Sequence, residues 1–250
     1  MASPTAIPPE ALDWLTGSDK TSLLLVGSLD QYGAALAQSG HLVTMADPDS
    51  AALTAIAVRR PWIHVVAAKA ESLPFDPGCF DLVISIQNFH TFAPGLALGE
   101  WARVLKPQGR IGLAYLTRDD SVPWVKKVRR IVQGYLPDAM TSDQGVSAVT
   151  AVKDSAFFPK VETLSFRLWI PSSRIQLQDS ARQALGADQL QPNQLTEMLN
   201  EIGQLYDEYA RVPDPLLLPY QIQCWRAIVD QTELTSCLIP DDDGLSISLS

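Results

Sequence analysis

Leu23-Leu24-Leu25-Val26-Gly27 is a short apolar run closed by a glycine, and a helix-forming stretch over residues 32–38 and a second apolar run over residues 42–45 follow it. A run this short, and continuous rather than alternating in polarity, predicts a strand buried on both faces, the kind that builds parallel sheets. The pattern extends on both sides. Upstream, Pro8-Pro9 starts a helix over residues 10–15 that Gly17 stops; downstream, Ser39-Gly40 closes the helix over residues 32–38. Asp47-Pro48 reads as the cap and first-turn proline of a helix over residues 49–59. Strands over 63–67 and 81–86, a helix over 96–105, a turn at Lys106-Pro107-Gln108-Gly109 and a strand over 110–116 continue the alternation. Strand and helix in strict alternation predict an α/β fold, a doubly wound Rossmann-like sheet with right-handed crossovers.

Past Thr117 the pattern changes. Residues 123–132 predict an amphipathic helix, residues 141–152 an irregular polar stretch and residues 161–170 a strand. A helical insert at about residues 172–210, with helices over 173–185 and 194–209, precedes a last strand over 216–229. The two late strands are expected to pair as an antiparallel edge on the parallel sheet. Residues 1–240 are expected to form a single domain, with Asp241, Asp242 and Asp243 opening an acidic, solvated tail over 241–250.

The 250 residues are 46% hydrophobic and 19% charged, enough apolar surface for one large α/β core. Nineteen Lys and Arg against 28 Asp and Glu give a net charge of −9, which disfavours nucleic acid and anionic membrane as partners. Neither a basic, apolar leader nor an apolar run of about 18 residues occurs, so a cytoplasmic protein without membrane spans is expected. Cys79, Cys224 and Cys237 are odd in number and far apart, which predicts free thiols and no metal site.

A strand, Gly27, a helix and then Asp47 at the end of the next strand form the layout that places an adenosine-containing cofactor at the carboxyl edge of a doubly wound sheet. Asp47 suits two roles there, acceptor for the ribose hydroxyls and helix cap. Spacing alone admits a nicotinamide dinucleotide as well.

Four further segments narrow the choice: Ala70-Glu71-Ser72-Leu73-Pro74-Phe75, Phe80-Asp81-Leu82-Val83, Gln87-Asn88-Phe89-His90 and Ala102-Arg103-Val104-Leu105-Lys106-Pro107-Gln108-Gly109. Together they resemble class I S-adenosylmethionine-dependent methyltransferases. The stretch 117–125, Leu218-Pro219-Tyr220 and Cys224-Trp225-Arg226-Ala227 make the chain most similar to the type 11 group, which includes the trans-aconitate methyltransferases. A nicotinamide oxidoreductase does not fit these segments.

The resemblance implies a seven-stranded sheet with its last pair reversed, S-adenosylmethionine over the ends of strands one and two, and a small-molecule acceptor over strands four and five. It assigns Gly27, Asp30, Asp47, Ala70, Glu71 and Gln87 to the cofactor, Ala70 through its backbone amide and Glu71 by packing near the adenine. Asn88, His90 and Arg118 fall on the acceptor side. His90 suits either a general base, or a group that orients a carboxylate, or a structural histidine. Arg118 suits either an anionic acceptor or a salt bridge to Asp119 or Asp120. Lys126, Lys127, Arg129 and Arg130, clustered on one helix, suit either attraction of an acidic acceptor or a solvated helix face.

The chain departs from the family in its first turn, where acid-x-Gly-x-Gly-x-Gly is replaced by Leu25-Val26-Gly27-Ser28-Leu29-Asp30-Gln31. Leu29 and Gln31 bring bulk where glycine allows close backbone approach, and Leu25 removes a carboxylate that would meet the cofactor's ammonium. Asp30, in the same turn, is the available replacement. The upstream segment is also short. Two functions are therefore expected to compete: methyl transfer to a small, carboxylated molecule, and a methyltransferase-like binding or regulatory protein that has lost catalysis.

Overall fold

Strand β1 (Ser22–Val26) is almost wholly buried, and its two neighbours explain why a continuous apolar run stands there. On one side it pairs in parallel with β2 (Leu42–Asp47), Val26 opposite Ala46; on the other it pairs in parallel with β4 (Phe80–Ile86), Leu25 opposite Ile84. Strand β3 (His64–Ala67) adds to the far side of β2, with Ala67 opposite Asp47. Seven strands form one sheet, completed by β5 (Leu105–Arg118), β6 (Val161–Ser172) and β7 (Leu216–Ile228), in the order β3-β2-β1-β4-β5-β7-β6 with the C-terminal pair antiparallel. The computed structural model describes residues 7–27, 30–137, 139, 144–184, 186–211, 215–232 and 234, with backbone only over 144–148. Ser28, Leu29, Cys237 and the acidic tail lie outside the described residues.

Two compact units make up the chain. The first comprises residues 19–112, 148–162 and 226–250 and holds β1 to β4 and the start of β5. Its helices follow local chemistry. Helix α2 (Asp30–Gln38) packs Gly33 so tightly on β2 that a Cβ there would fall 2.6 Å from the Met45 sulfur. Helix α3 (Ser50–Arg59) is capped by Asp49, whose carboxylate accepts the Ala51 and Ala52 N–H groups, both at 3.0 Å. This corrects the expectation that Asp47-Pro48 caps it. Helix α4 (Pro94–Val104) starts on a first-turn proline and buries Trp101 against Phe89 and Phe92.

The second unit comprises residues 1–18, 113–147 and 163–225. It contains α1 (Pro9–Thr16), stopped at Gly17 with φ +74°, and a helical core built by α5 (Pro123–Tyr135), α7 (Arg174–Arg182) and α8 (Pro192–Tyr209). Trp124, Val128, Val132, Leu177, Met198 and Ile202 meet in that core because each helix carries its apolar residues three or four positions apart. Ser173 and Gln176 form a reciprocal capping box at the start of α7.

Two local expectations fail. Residues 144–153 are helical, α6 (Gln144–Lys153), rather than irregular: Ala148 and Ala151 favour the helix, and burial of Val149 and Val152, three positions apart, offsets the poor propensities of Gly145, Ser147 and Thr150. Lys106-Pro107-Gln108-Gly109 is not a turn before β5 but part of it, bent where Gln108 takes φ +65° and Gly109 lies so close to the Lys106 carbonyl that a Cβ would fall 2.8 Å away. Among the described residues, no helix is long and apolar enough to cross a membrane and no cluster of His, Cys, Asp and Glu suits a metal ion.

Candidate active site

In the first unit the ends of β1, β2 and β4 share one edge, because the strands are parallel and in register. The Gly27 N–H donates to the Ala46 carbonyl at 2.8 Å, and the Ala68 N–H donates to the Asp47 carbonyl at 3.1 Å. Gly27, Asp47 and Gln87 therefore stand at neighbouring strand ends.

Glycine is required at position 27 twice over. Its φ of +119° strains any L side chain, and a Cβ would fall 2.2 Å from Asn88 Nδ2. The space that a side chain would take is thus filled by the Asn88 carboxamide. Asn88 is half-buried and precedes a 3-10 turn, Phe89–Thr91, that carries His90 exposed at this edge. Gln87, at the end of β4, has φ +62°, a conformation that costs a non-glycine residue about 1–2 kcal/mol. Strain of this kind gathers where a fold aims groups at a ligand.

Asp47 closes β2 half-buried, and its Oδ1 accepts the Asp49 N–H at 2.8 Å. The carboxylate is held in place by this local turn, not spent on the helix, and among the described residues Oδ2 has no hydrogen-bond partner. After β3, the Lys69–Ser72 bridge forms a tight turn that buries Ala70.

Other expected site residues have different partners. Asp30 stands on the first turn of α2, but Arg59 and Arg60 approach its two carboxylate oxygens, both at 3.3 Å. The replacement carboxylate is thus turned toward the end of α3. Glu71 accepts the Ala93 N–H at 2.7 Å and so satisfies the N-terminus of α4. In the second unit Arg118 donates to Ser180, while Asp119 and Asp120 pair with Arg167 and Arg129, so the expected Arg118 pair with either aspartate gives way to these. Of the expected solvated face on α5, Lys126 and Arg130 are exposed, whereas Lys127 pairs with Glu208 and lies over the Tyr209 ring.

Sequence reasoning missed a clamp that shapes the loop after β3. Arg103 donates to the Phe75 and Leu73 carbonyls at 2.8 and 3.1 Å and to both Glu100 oxygens, while Glu100 accepts the Leu73 N–H at 2.7 Å. The Arg103 guanidinium, opposed by partial burial, holds the Glu100 carboxyl below its ordinary range. The signal lay in two of the quoted segments, which carry these residues or abut them.

Most of the chain is similar in fold to solved structures. It covers 99% of a candidate methyltransferase from an antibiotic biosynthesis pathway of Anabaena variabilis, with a TM-score of 0.59 and 17% identity over 89% of this chain. A candidate type II methyltransferase from Anaeromyxobacter dehalogenans aligns over 94% of its length and 88% of this chain, with a TM-score of 0.58 and 20% identity. Residues 26–113 match the family model described as a methyltransferase domain. Among curated relatives, an uncharacterized methyltransferase of Mycobacterium bovis is 33% identical over 126 residues, 50% of this chain and 52% of the relative. An uncharacterized methyltransferase-like protein of Schizosaccharomyces pombe is 35% identical over 133 residues, 51% and 52% of the two chains. The chain thus spans about half the length of the curated relatives it matches.

The matched segment contains Gly27, Asp47, Ala70, Gln87 and Asn88, of which Asp47 and Ala70 would hold the adenosine half of S-adenosylmethionine. Asp47 offers a carboxylate oxygen at the end of β2 for ribose hydroxyls, and Ala70 follows in the turn beside it. At the methionine half the Asn88 carboxamide lies over Gly27, and it is the rotatable end of a side chain. The fit there depends on its rotation.

Proposed function

We propose that the chain is an S-adenosylmethionine-dependent methyltransferase acting on a small, carboxylated molecule. What carries the reading is the juxtaposition of Gly27, Asp47 and Gln87 at one strand edge inside the methyltransferase domain. When bound, S-adenosylmethionine supplies a methyl group on a sulfonium, which passes in line to a nucleophilic atom while the C–S electron pair leaves with the thioether. Alignment does most of the work in such a displacement. Asp47 anchors the ribose. The Gly27 turn admits the chain of the cofactor close to the backbone once the Asn88 carboxamide rotates away, and Gln87 and Asn88 border the path to the acceptor. A carboxylate acceptor is already deprotonated near neutrality, so no base is needed and the exposed His90 serves to orient it.

The test is incubation of the full chain with methyl-labelled S-adenosylmethionine and a panel of small di- and tricarboxylates. A base-labile labelled ester is expected. A base-stable product would overturn the carboxylate reading and assign a hydroxyl or amine acceptor. A second reading, a methyltransferase-like protein that binds without catalysis, is favoured by Leu25 in place of the acid and by Asp30 facing Arg59 and Arg60. Cofactor binding with no labelled product from any acceptor would select it.

A further inference from the structure

A glycine turn serves a ligand only when the space it leaves is open, and at Gly27 the chain itself takes that space. A Cβ at position 27 would fall 2.2 Å from Asn88 Nδ2 and 3.3 Å from Asn88 Cγ. The Asn88 main chain is held by its neighbours. Its carbonyl accepts the Thr91 N–H at 2.9 Å and the Thr91 hydroxyl at 2.7 Å, and the adjoining Phe89 is buried edge-on against Trp101, with ring centroids 5.3 Å apart. The backbone is thus anchored, and rotation of the side chain is what clears the turn. Asn88 is half-buried, so a carboxamide that leaves the turn can find water for its polar atoms.

Little at this strand end offsets the rotation. Leu25, 1% exposed, has no charge to meet an ammonium, and the Asp30 carboxylate is engaged by Arg59 and Arg60, each at 3.3 Å. Asp47 is independent of Asn88: it closes β2 and is fixed by the Asp49 N–H. The two ends of a bound nucleoside cofactor therefore meet different conditions, a ready carboxylate at the ribose and an occupied turn at the amino-acid tail.

We propose that Asn88 is a specificity-determining residue of this strand edge, a gate whose carboxamide stands where the amino-acid tail of the cofactor would pass. Nucleosides without the tail bind directly, and those with it bind only the rotated form. The inference rests on the reading of this edge as an S-adenosylmethionine site. A ligand that binds one form of a protein has its affinity reduced by the fraction of the protein in that form. Asn88→Ala removes that reduction for tailed ligands alone.

Calorimetric titration of the full chain tests it, with S-adenosylhomocysteine in one series and methylthioadenosine, which has the nucleoside and thioether without the amino-acid tail, in the other. Asn88→Ala is expected to bind S-adenosylhomocysteine about tenfold more tightly than the wild type does, and methylthioadenosine within twofold. Asn88→Leu, which keeps the bulk and loses the amide, is expected to show no gain, because occupancy of the turn and not hydrogen bonding closes the gate. Asn88→Ser carries the same expectation as Asn88→Ala should the latter fail to fold. Unchanged or weaker S-adenosylhomocysteine binding by the small variants, with methylthioadenosine still bound, overturns the gate and leaves the reading of the site standing. Equal tightening of both ligands also overturns it. Binding of neither ligand by the wild type or any variant overturns the reading of the site and the gate with it.

Discussion

The ends of β1 and β2 lie side by side, Val26 opposite Ala46, yet on the proposed function they suit a nucleoside cofactor differently. The β2 end keeps what an adenosine needs: Asp47 is half-buried, fixed by one backbone N–H and placed at the strand edge. The β1 end keeps Gly27 alone. Its acid position is Leu25, 1% exposed, its nearest carboxylate is paired with Arg59 and Arg60, and the Asn88 side chain occupies the glycine cradle. Adjacent strands of one sheet thus differ in function because a strand end is set by one or two residues, whereas the strands themselves are set by a whole apolar pattern. On the proposed function, the adenosine half of the site is built in, and the methionine half depends on how Asn88 moves.

The largest expected effect follows from the intact end. Asp47→Ala should weaken S-adenosylhomocysteine about a hundredfold, the loss of two charge-assisted hydrogen bonds, as read by calorimetry. Less than a threefold change would break the contrast between the two ends.

The clamp on the loop after β3 comes next. Arg103→Met removes the cation that pairs with Glu100, leaves two carbonyls without this donor and should cost about 2–3 kcal/mol in chemical denaturation. Because the folded-state pKa of Glu100 is lowered, chiefly by Arg103, its contribution is fully present above the unfolded carboxyl pKa and is lost as the pH falls through the lower folded value. Glu100→Gln should therefore lose less stability than the wild type over that acidic range.

His90→Ala sharpens the reading of the acceptor. With a carboxylate acceptor, KM should rise about tenfold while kcat changes little; a fall of kcat by roughly 10²–10⁴-fold would instead identify a general base and a protonated acceptor. The smallest effect is expected at the altered end. Asp30→Ala breaks pairs that are partly exposed and should cost no more than about 1 kcal/mol, with cofactor affinity within twofold of wild type. A large loss of affinity would show that Asp30 leaves Arg59 and Arg60 for the cofactor's ammonium.

The strands and most helices were legible because their apolar runs, prolines and glycines act locally. Pro9, Gly17, Pro94 and Pro123 each stand where a helix starts or stops. Helix α6 was not legible, since Gly145, Val146, Ser147, Val149 and Thr150 are poor helix formers and its apolar stripe is weak. At the site, Gly27 and Asp47 could be placed from spacing, because strand ends fix them. The partners of Asp30, Glu71 and Arg118 could not, since Arg60, Ala93 and Ser180 lie 30, 22 and 62 positions away and meet them only through tertiary packing.

The most direct test is calorimetric titration of the wild-type chain with S-adenosylmethionine and S-adenosylhomocysteine, with a nicotinamide dinucleotide as control. Saturable binding of both sulfur compounds at one site, with no heat from the dinucleotide, is the predicted result. Absence of binding of either sulfur compound would contradict the assignment of this strand edge to the cofactor.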